Sequence, residues 1–432
     1  CTTFNKMMVL VVTLTDKHQA CPYCGFTAPK IKEYVTKEIT HSALTTQKCI
    51  IKYRARRYKC SCCGKTYYEF NPFVFKSQKI SILTVHNILK DLKDFNETFT
   101  SVARRYHVSP TSVSTIFDNH VDIGRNPLPE IINFDEVYAF KSEKSKYVCV
   151  LLDFKKQIPV DVLPNRKKEY LLNYFQKIPL EERKKVKYAC SDMYEVYRDV
   201  VHKVFPEAKH LLDYFHLSQD FHKKMNEVRI KVMKGYKDNK ASDEYYLLKK
   251  FNWLLFKNPE DEDKHGRLFD VERERKYNSH FKSYMNYYDL RKKLLEINND
   301  LTICYSLKLE LVDFYSKSTI DNAKVNLENL IRSCIDTNIE EMIKFSNNLI
   351  NWKQEIINSF TIVGTEYKVE ADKGQVVVCN KKVNNAIIEN RNKIIKCIKN
   401  NANGYTNWSR FRNRVMYVLD PNATFSLEPR EK

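Results

Sequence analysis

Two pairs of cysteines near the start of the chain have the spacing of a metal site. Two residues separate Cys21 from Cys24 and Cys60 from Cys63, and a glycine follows each pair. Glycine permits the tight turn of such a knuckle, and two knuckles can arrange four thiolates tetrahedrally around one zinc ion. The pattern predicts one structural zinc ion, with Cys62 as a spare thiol. Because the segment between the pairs is longer than usual, structural or redox-active thiols are the alternative.

Two acids interrupt an apolar, strand-like run at residues 131–140. Charged side chains are rarely buried without a partner, and β-strands disfavour Asp, so Asp135 indicates a metal ligand, an ion pair or a functional edge. Asp192 follows another predicted strand, and Glu389 lies on a late predicted helix. Three carboxylates of this kind can hold two divalent cations that also bind phosphate oxygens.

Other acids compete for these positions. Glu136 and Asp153 are alternatives to Asp135 as the first carboxylate. Successive side chains of a strand face opposite sides, so Asp135 and Glu136 cannot both point at one metal pair, and we expect Asp135 to be the ligand. On a helical wheel Glu389 shares a polar face that by itself is typical of a solvated surface. The residues alongside it are Asn385, Asn392, Lys393 and Lys396.

The elements around these acids predict a mixed α/β sheet. Apolar runs predict strands at 131–138, 147–154, 158–163, 186–190 and 208–212, and helical periodicity predicts helices at 166–177 and 193–205. A parallel strand after a crossover would end at Asp192, where open α/β sheets place their ligands.

The segment before the sheet predicts a helix-turn-helix. Residues 80–92 form one amphipathic helix, Ala103 lies on a second, a turn falls near Val108, and Pro110 suits the start of a third. Val113, Ile116 and Phe117 face inward in this interpretation. The polar positions left for a DNA major groove and its phosphates are Thr111, Ser112, Ser114, Thr115, Arg104 and Arg105. An ordinary helical hairpin with a solvated face is the alternative.

The remainder of the chain is mostly helical. Residues 215–360 show amphipathic helical runs and no strand pattern, and residues 361–379 alternate as in a hairpin with a turn at Lys373 and Gly374. A last helix and a basic, aromatic tail follow. Tyr405, Trp408, Phe411 and Arg412 could stack on an unpaired base or contact phosphates, but we favour a packed C-terminal helix for them.

Composition restricts the class of protein. The 432 residues are 43% hydrophobic, enough to bury a sizeable core, and the net charge of +20 comes from Lys and Arg along the whole length. This favours an extended polyanion, first of all nucleic acid, over the alternative that the proteome is simply Lys-rich. Clustered cysteines indicate a metal site in a reducing compartment. No apolar run is long enough for a membrane helix. We therefore expect a cytoplasmic protein.

Several motifs together resemble one known family, the ISL3 insertion-sequence transposases of bacteria. Their order and spacing match over nearly the whole chain. They are the cysteine knuckles with Arg56-Arg57-Tyr58-Lys59-Cys60, the helix-turn-helix, Phe134-Asp135-Glu136, Ser191-Asp192, Asp213-Tyr214-Phe215-His216, Ile388-Glu389 and Gly404-Tyr405-Thr406-Asn407-Trp408.

The resemblance implies a domain order. It is a zinc ribbon at 1–70, a helix-turn-helix at 71–125, the first part of an RNase H-like mixed α/β catalytic core at 126–216, an all-α insertion with a short hairpin at 217–383, and the final helix and tail at 384–432.

The resemblance also implies the chemistry. Asp135, Asp192 and Glu389 would form a DDE triad holding two Mg²⁺ or Mn²⁺ ions, and Asp213 and His216 would support it as a D-x-x-H element, although a structural His is equally expected. The implied partner is double-stranded DNA at transposon ends and target, bound by a homo-oligomer in the bacterial nucleoid, with Lys393 and Lys396 among the DNA contacts. One departure is visible, since Asn384-Asn385-Ala386 replaces the family's Ser-Asn-Gly. A non-catalytic DNA-binding protein that uses only the first 125 or so residues is the alternative.

Overall fold

A computed structural model describes residues 2–4, 7–15, 20–42, 47–76, 78–140, 145–369 and 376–430. Up to residue 127 its elements are β1 (Thr2–Phe4), β2 (Met7–Val12), β3 (Lys30–Thr40), β4 (Lys48–Lys59), β5 (Thr66–Tyr68), α1 (Ile82–Asp91), α2 (Phe99–Arg105) and α3 (Pro110–His120). Next come β6 (Ile131–Val137), β7 (Val148–Asp153), β8 (Pro159–Leu163), α4 (Lys168–Gln176), α5 (Leu180–Arg183), β9 (Tyr188–Ser191), α6 (Glu195–Val204) and β10 (Lys209–Leu212).

A long helical stretch follows. It contains α7 (Tyr214–Lys234), α8 (Asp243–Lys250), β11 (Glu262–Asp263), β12 (Gly266–Arg267), β13 (Lys276–Asn278), β14 (Ser283–Met285), α9 (Tyr287–Glu296), α10 (Asn299–Lys317), α11 (Ala323–Asp336), α12 (Glu340–Asn351) and α13 (Lys353–Asn358). The chain ends with β15 (Ile362–Val369), β16 (Val376–Lys382), α14 (Ala386–Asn401) and α15 (Trp408–Leu419). Within the described residues, no helix has both the length and the apolar character needed to cross a membrane.

The chain divides into two compact units. The first consists of Cys1–Pro127, Glu136–Tyr170 and Ile388–Lys432, and the second of Leu128–Asp135 and Leu171–Ile387. Three of the four divisions fall inside β6, α4 and α14, so each of these elements contributes residues to both units.

The first unit begins with a sheet built around β4. This strand pairs in parallel with β2 and antiparallel with β3 and β5, while β1 pairs antiparallel with β2. Alternate residues of β4 bury one face, where Ile51, Tyr53 and Ala55 form a small core with Ile39 of β3. Period-two burial of this kind is what a sheet with one covered face requires.

Three helices with well-defined caps follow this sheet. The side chains of Ser81, Thr98 and Ser109 cap α1, α2 and α3, and Pro110 occupies the first turn of α3. These caps satisfy backbone N–H groups that the first turn leaves without partners. Val113 and Phe117 are buried in the shared core of the three helices, which also contains Tyr417 of α15. The helices and the turn therefore lie where the sequence predicts them.

The second unit contains three parallel strands. β9 pairs in parallel with β6 on one side and with β10 on the other, and α6 connects β9 to β10. Phe134 of β6 packs against Phe175, Tyr197 and Phe205, with ring centroids 5.6 to 6.4 Å apart. This aromatic core buries the side of β6 opposite to Asp135, because successive side chains of a strand alternate. In the first unit β7 and β8 form an antiparallel pair.

Helices α7 to α13 pack around a separate apolar core in the second unit, which includes Phe221, Leu301 and Phe345. The prediction that this stretch contains no strand is wrong. β11 pairs with β12 and β13 with β14, and β14 occupies residues assigned from periodicity to the start of a helix. These strands are two or three residues long, too short for alternation to stand out from helical periodicity. The insertion is therefore not all-α.

β15 and β16 form the hairpin expected near residues 361–379. The predicted turn at Lys373 and Gly374 lies outside the described residues.

Candidate carboxylate site, cysteine cluster and N-terminal helices

Strand register aligns three acids in the second unit. Asn133 pairs with Cys190, so Asp135 and Asp192 each lie two residues beyond a paired position of adjacent parallel strands. Ser191 pairs with Leu212, which places Asp213 directly after the end of β10, next to Asp192. Neighbouring strands are about 4.8 Å apart. The three carboxylates therefore form a row at the carboxyl ends of β6, β9 and β10, of which Asp213 was predicted only as a supporting residue.

The row concentrates negative charge. Cys190 is fully buried next to it, and its pKa is raised well above the usual value, first by burial and then by the charges of Asp213, Asp135 and Asp192. Cys190 pairs with Asn133 of β6 and Leu211 of β10, so each of the three acids follows this paired row by two residues. Such a concentration of charge is what a divalent cation would neutralise, so the donor set fits the Mg²⁺ or Mn²⁺ implied by the sequence.

The structure explains the two acids that compete with Asp135. Glu136 forms an ion pair with Arg166. The Asp153 carboxylate accepts hydrogen bonds from the backbone N–H groups of Lys155 (2.9 Å) and Lys156 (3.0 Å), and thereby stabilises the turn after β7. Asp135 is 9% exposed and lies in the row. Both competitors thus have structural roles, which leaves Asp135 as the better candidate for a metal ligand.

Ser191 and His210 support the backbone beside Asp192. The Ser191 hydroxyl donates to the backbone oxygen of Asp192 at 2.8 Å and lies 2.9 Å from Nε2 of His210. Since a hydroxyl has one proton to donate, Nε2 must be the donor in the second bond, which makes His210 a neutral Nε2–H tautomer. Burial, which is almost complete, lowers the pKa of His210 to about 3, in agreement with the neutral form.

The same histidine connects the sheet to the insertion. The Asn358 amide, at the end of α13, donates to the backbone oxygen of His210 at 2.9 Å. A Glu355 carboxylate oxygen lies 4.0 Å from Nδ1 of His210. His210 was missed in the sequence, where an isolated His in a short strand gives no signal.

Asp213 and His216 lie on one turn of helix. Asp213 caps α7 by accepting a hydrogen bond from the backbone N–H of Phe215 at 3.3 Å. Nε2 of His216 lies 4.0 Å from a carboxylate oxygen of Asp213. Asp213 is buried and His216 half-buried. The two predicted residues are therefore neighbours, and Asp213 also has a capping role.

Glu389 lies in the first turn of α14. The interpretation of its helix face as a solvated surface holds only in part, because Asn385 is 0% and Asn392 5% exposed and Glu389 itself is half-buried. Polar side chains buried along one face of a helix need partners that periodicity cannot show. Lys393 and Lys396 are exposed, as their predicted DNA contacts require.

A buried amide pair fixes the start of α14 to β6. The Asn133 amide donates to the Asn385 side-chain oxygen at 2.7 Å and to the backbone oxygen of Asn384 at 2.8 Å, and the Asn385 amide donates to the backbone oxygen of Phe134 at 3.4 Å. Asn133 was missed in the sequence. The signal that could have identified it is a polar residue within an apolar strand, two residues before Asp135. Asn385, the Asn kept from the family's Ser-Asn-Gly, has a structural role that does not need the missing Gly.

The four predicted zinc ligands converge in the first unit. The Sγ atoms of Cys21, Cys24, Cys60 and Cys63 all lie within 4.8 Å of one another, whereas Cys62 is exposed and outside the group. Sγ of Cys21 is 3.7 Å from that of Cys63, and Sγ of Cys24 is 3.5 Å from that of Cys60. A tetrahedral zinc ion with Zn–S bonds of about 2.3 Å separates its sulfurs by about 3.8 Å. The thiols therefore fit zinc.

Both knuckles have the same backbone turn. The N–H of Gly25 donates to the backbone oxygen of Cys21 at 2.9 Å, and that of Gly64 donates to the backbone oxygen of Cys60 at 3.0 Å. The two glycines have φ angles of 74° and 72°, which L side chains rarely adopt. The backbone N–H of Cys63 donates to Sγ of Cys60 at 3.5 Å, and backbone N–H groups of Cys63 and Cys62 lower the pKa of the Cys60 thiol to about 6, whereas burial and the neighbouring thiols raise the pKa of Cys24 and of Cys63. A thiolate at neutral pH is the form that binds metal.

The polar side of α3 remains accessible. Thr111 and Thr115 are exposed and Ser112 and Ser114 are half-exposed. Arg104 is exposed, but Arg105 donates hydrogen bonds to Glu97 and Asp91, and these ion pairs raise its pKa. Because the Arg105 guanidinium is already paired within the helix cluster, Arg104 is the better candidate for a phosphate contact, and the predicted contact of Arg105 stays a prediction.

The C-terminal tail is packed, as we favoured. Phe411 is fully buried, Phe140 lies 5.1 Å from Trp408 between ring centroids, and Arg412 forms an ion pair of 2.6 Å with Asp161. Arg410 of α15 donates hydrogen bonds of 2.6 to 3.2 Å to both carboxylate oxygens of Asp118 on α3. α15 thus stabilises the helix cluster that carries α3.

Known proteins resemble this chain over most of its length. Residues 132–371, more than half of the chain, match the family model of the ISL3 transposases, whose description is "Transposase". The transposase for insertion sequence element IS1001 of Bordetella parapertussis is 19% identical over 421 residues, which cover 97% of this chain and 93% of that protein. The matched segment contains Asp135, Asp192, Asp213 and His216, and ends before Glu389. The chain belongs to the ISL3 family of transposases.

Proposed function

We propose that this transposase binds the terminal inverted repeats of its insertion sequence and performs divalent-metal-dependent strand cleavage and strand transfer with Asp135, Asp192 and Glu389. The observation that carries the proposal is the alignment of Asp135, in the carboxyl-terminal half of β6, with Asp192, directly after the adjacent parallel strand β9. An RNase H-like core is part of the proposal. The parallel order of β6, β9 and β10 and the antiparallel pair β7 and β8 support it.

Each residue has a defined task in this mechanism. Asp135 and Asp192 would hold the cations from their strands, and Glu389, in the first turn of α14, would supply the third carboxylate; Asn133 and Asn385 fix the start of this helix to β6. Two bound Mg²⁺ or Mn²⁺ ions would activate water and stabilise the attacking and leaving oxygens of in-line phosphoryl transfer. Asp213, which lies next to Asp192, and His216, which lies beside Asp213, would support the row. No protein nucleophile is required.

In this proposal, residues of the first unit recognise the DNA. Thr111, Ser112, Ser114 and Thr115 would enter a major groove from α3, and Arg104 would contact phosphate. A zinc ion on Cys21, Cys24, Cys60 and Cys63 would hold the two knuckles of the ribbon together. Lys393 and Lys396 would add phosphate contacts, and the protein would act as a homo-oligomer on two DNA ends.

Labelled transposon-end DNA tests the proposal. With Mg²⁺ or Mn²⁺ the wild-type chain should nick the end, and Asp135→Asn, Asp192→Asn and Glu389→Gln should each lose cleavage while still shifting the DNA in a gel. Asp238→Asn is the matched control, because it removes one carboxylate at an exposed position of the second unit. A wild-type chain that binds the end without nicking it would support the non-catalytic DNA-binding alternative, and cleavage retained in one variant would remove that residue from the triad.

A further inference from the structure

The insertion presents an unusual pair of aromatic side chains. Tyr277 of β13 and Tyr284 of β14 are cross-strand partners with ring centroids 5.5 Å apart, and they are 59% and 69% exposed. Met285, on the opposite face of the hairpin, is buried in the apolar core of the insertion. The hairpin is therefore anchored on one face and offers two tyrosine rings to solvent on the other.

A cavity of about 460 Å³ continues this surface. Tyr277 lines it together with Tyr246, Phe251 and Tyr287. Tyr246 is held in place by stacking on His280, with ring centroids 4.0 Å apart and planes inclined by 7°. The cavity thus has fixed aromatic walls, and Tyr277 belongs both to the wall and to the exposed pair.

The charge around the cavity is positive. Lys250, Lys264 and Lys276 line it. Of the two acids in the lining, Asp263 is neutralised by an ion pair of 2.6 Å with Arg273, which leaves Glu274 against three lysines. Lys282, in the turn of the hairpin, is exposed as well. Aromatic faces for bases beside cations for phosphates are the two components of a single-strand binding surface.

We propose that the β13–β14 hairpin and the adjoining cavity bind an unpaired segment of DNA. The tyrosine rings stack on bases without regard to sequence, and the lysines contact the backbone. The inference rests on the proposed function for its DNA substrate, since strand cleavage at a transposon end exposes unpaired nucleotides. The proposal assigns a ligand to the insertion, which helical periodicity alone does not.

Fluorescence anisotropy with a labelled single-stranded oligothymidylate and the full chain, without divalent metal, tests this proposal. The Tyr277→Ala/Tyr284→Ala variant should bind about tenfold or more weakly, because one stacked base contributes about 1 to 3 kcal/mol and 1.4 kcal/mol is tenfold in affinity. Tyr277→Phe/Tyr284→Phe keeps both rings and should bind like the wild type. Val325→Ala is the control, because it shortens an apolar side chain on α11 that is 57% exposed and lies outside the hairpin and the cavity.

Lysine variants keep the test valid if the alanine variant disturbs the hairpin. Lys276→Ala/Lys282→Ala leaves the rings in place and should lower the salt dependence of binding, by about 0.7 in the logarithmic slope for each phosphate that is no longer neutralised. The proposal is overturned if the alanine variant binds like the wild type, if the Phe variant loses as much affinity as the Ala variant, or if the wild type does not bind the oligonucleotide. A wild type that binds it but fails to cut duplex ends refutes only the proposed function.

Discussion

Substitution of Asn385 by Ala should affect both stability and cleavage. It removes the hydrogen bond of 2.7 Å from Asn133 and that of 3.4 Å to the backbone oxygen of Phe134, both buried. Loss of a buried partner costs about 1 to 3 kcal/mol. Because the Asn133 amide still donates to the backbone oxygen of Asn384 at 2.8 Å, we expect a loss of stability near the middle of this range, about 2 kcal/mol. For a unit of this size that lowers Tm by about 4 to 8 °C.

The loss of cleavage should exceed the loss of stability. Asn385 precedes α14, and Glu389 lies in its first turn, so a looser start of the helix displaces the carboxylate. A misplacement of about 1 Å can reduce a rate about 100-fold. Metal-dependent nicking of end DNA well below Tm, where the variant is still folded, separates the two effects.

A double-mutant cycle isolates the interaction between the two amides. Asn133→Ala and Asn385→Ala should together cost at least about 0.5 kcal/mol less than the sum of the single variants, since both remove the hydrogen bond between the two side chains. Asn390→Ala, an exposed position of the same helix, is the control. Additive losses of stability, or a folded Asn385→Ala variant that cleaves at the wild-type rate, would refute the reasoning that this amide pair positions Glu389.

Two further predictions concern the cysteines and His210. Cys63→Ser should reduce bound zinc to well below one ion per chain, while Cys62→Ser should leave the zinc content unchanged, because Cys63 belongs to the group of four thiols and Cys62 does not. Metal analysis after purification without chelator checks this prediction. The pKa of His210 is lowered from 6.5 to about 3, so the unfolded chain binds more protons than the folded one between these values. Stability should therefore fall as pH decreases below about 6.5, by up to about 1.4 kcal/mol per pH unit from this residue. Urea unfolding at pH 7 and 5 should show a smaller difference for His210→Gln than for the wild type.

Local signals made much of the fold predictable. Ser109 and Pro110 mark the start of α3 because capping and a fixed φ angle are properties of single residues. The choice of Asp135 over Glu136 followed from strand alternation, and the ion pair of Glu136 with Arg166 explains the second acid. The cysteine spacing identified all four thiols of the cluster.

What could not be predicted depends on partners far away in the chain. Arg105 looked like a phosphate contact from the sequence, but Asp91 and Glu97 bind its guanidinium. Asn133 and His210 have roles only through Asn385 and Ser191, which belong to other elements. Hydrogen-bond partners of buried polar groups are set by tertiary packing, and a single sequence does not record them.

The amide pair is also relevant to the long insertion that separates Asp135 and Asp192 from Glu389 in the chain. Asn133 and Asn385 are 252 residues apart in the chain, and the insertion lies between them. The entropy cost of closing a loop grows only with the logarithm of its length, so each doubling adds about 0.6 kcal/mol. One buried interaction that contributes about 2 kcal/mol exceeds that increment. The insertion can therefore lengthen or acquire a surface such as the tyrosine hairpin without moving α14, provided that Asn133 and Asn385 keep their bond.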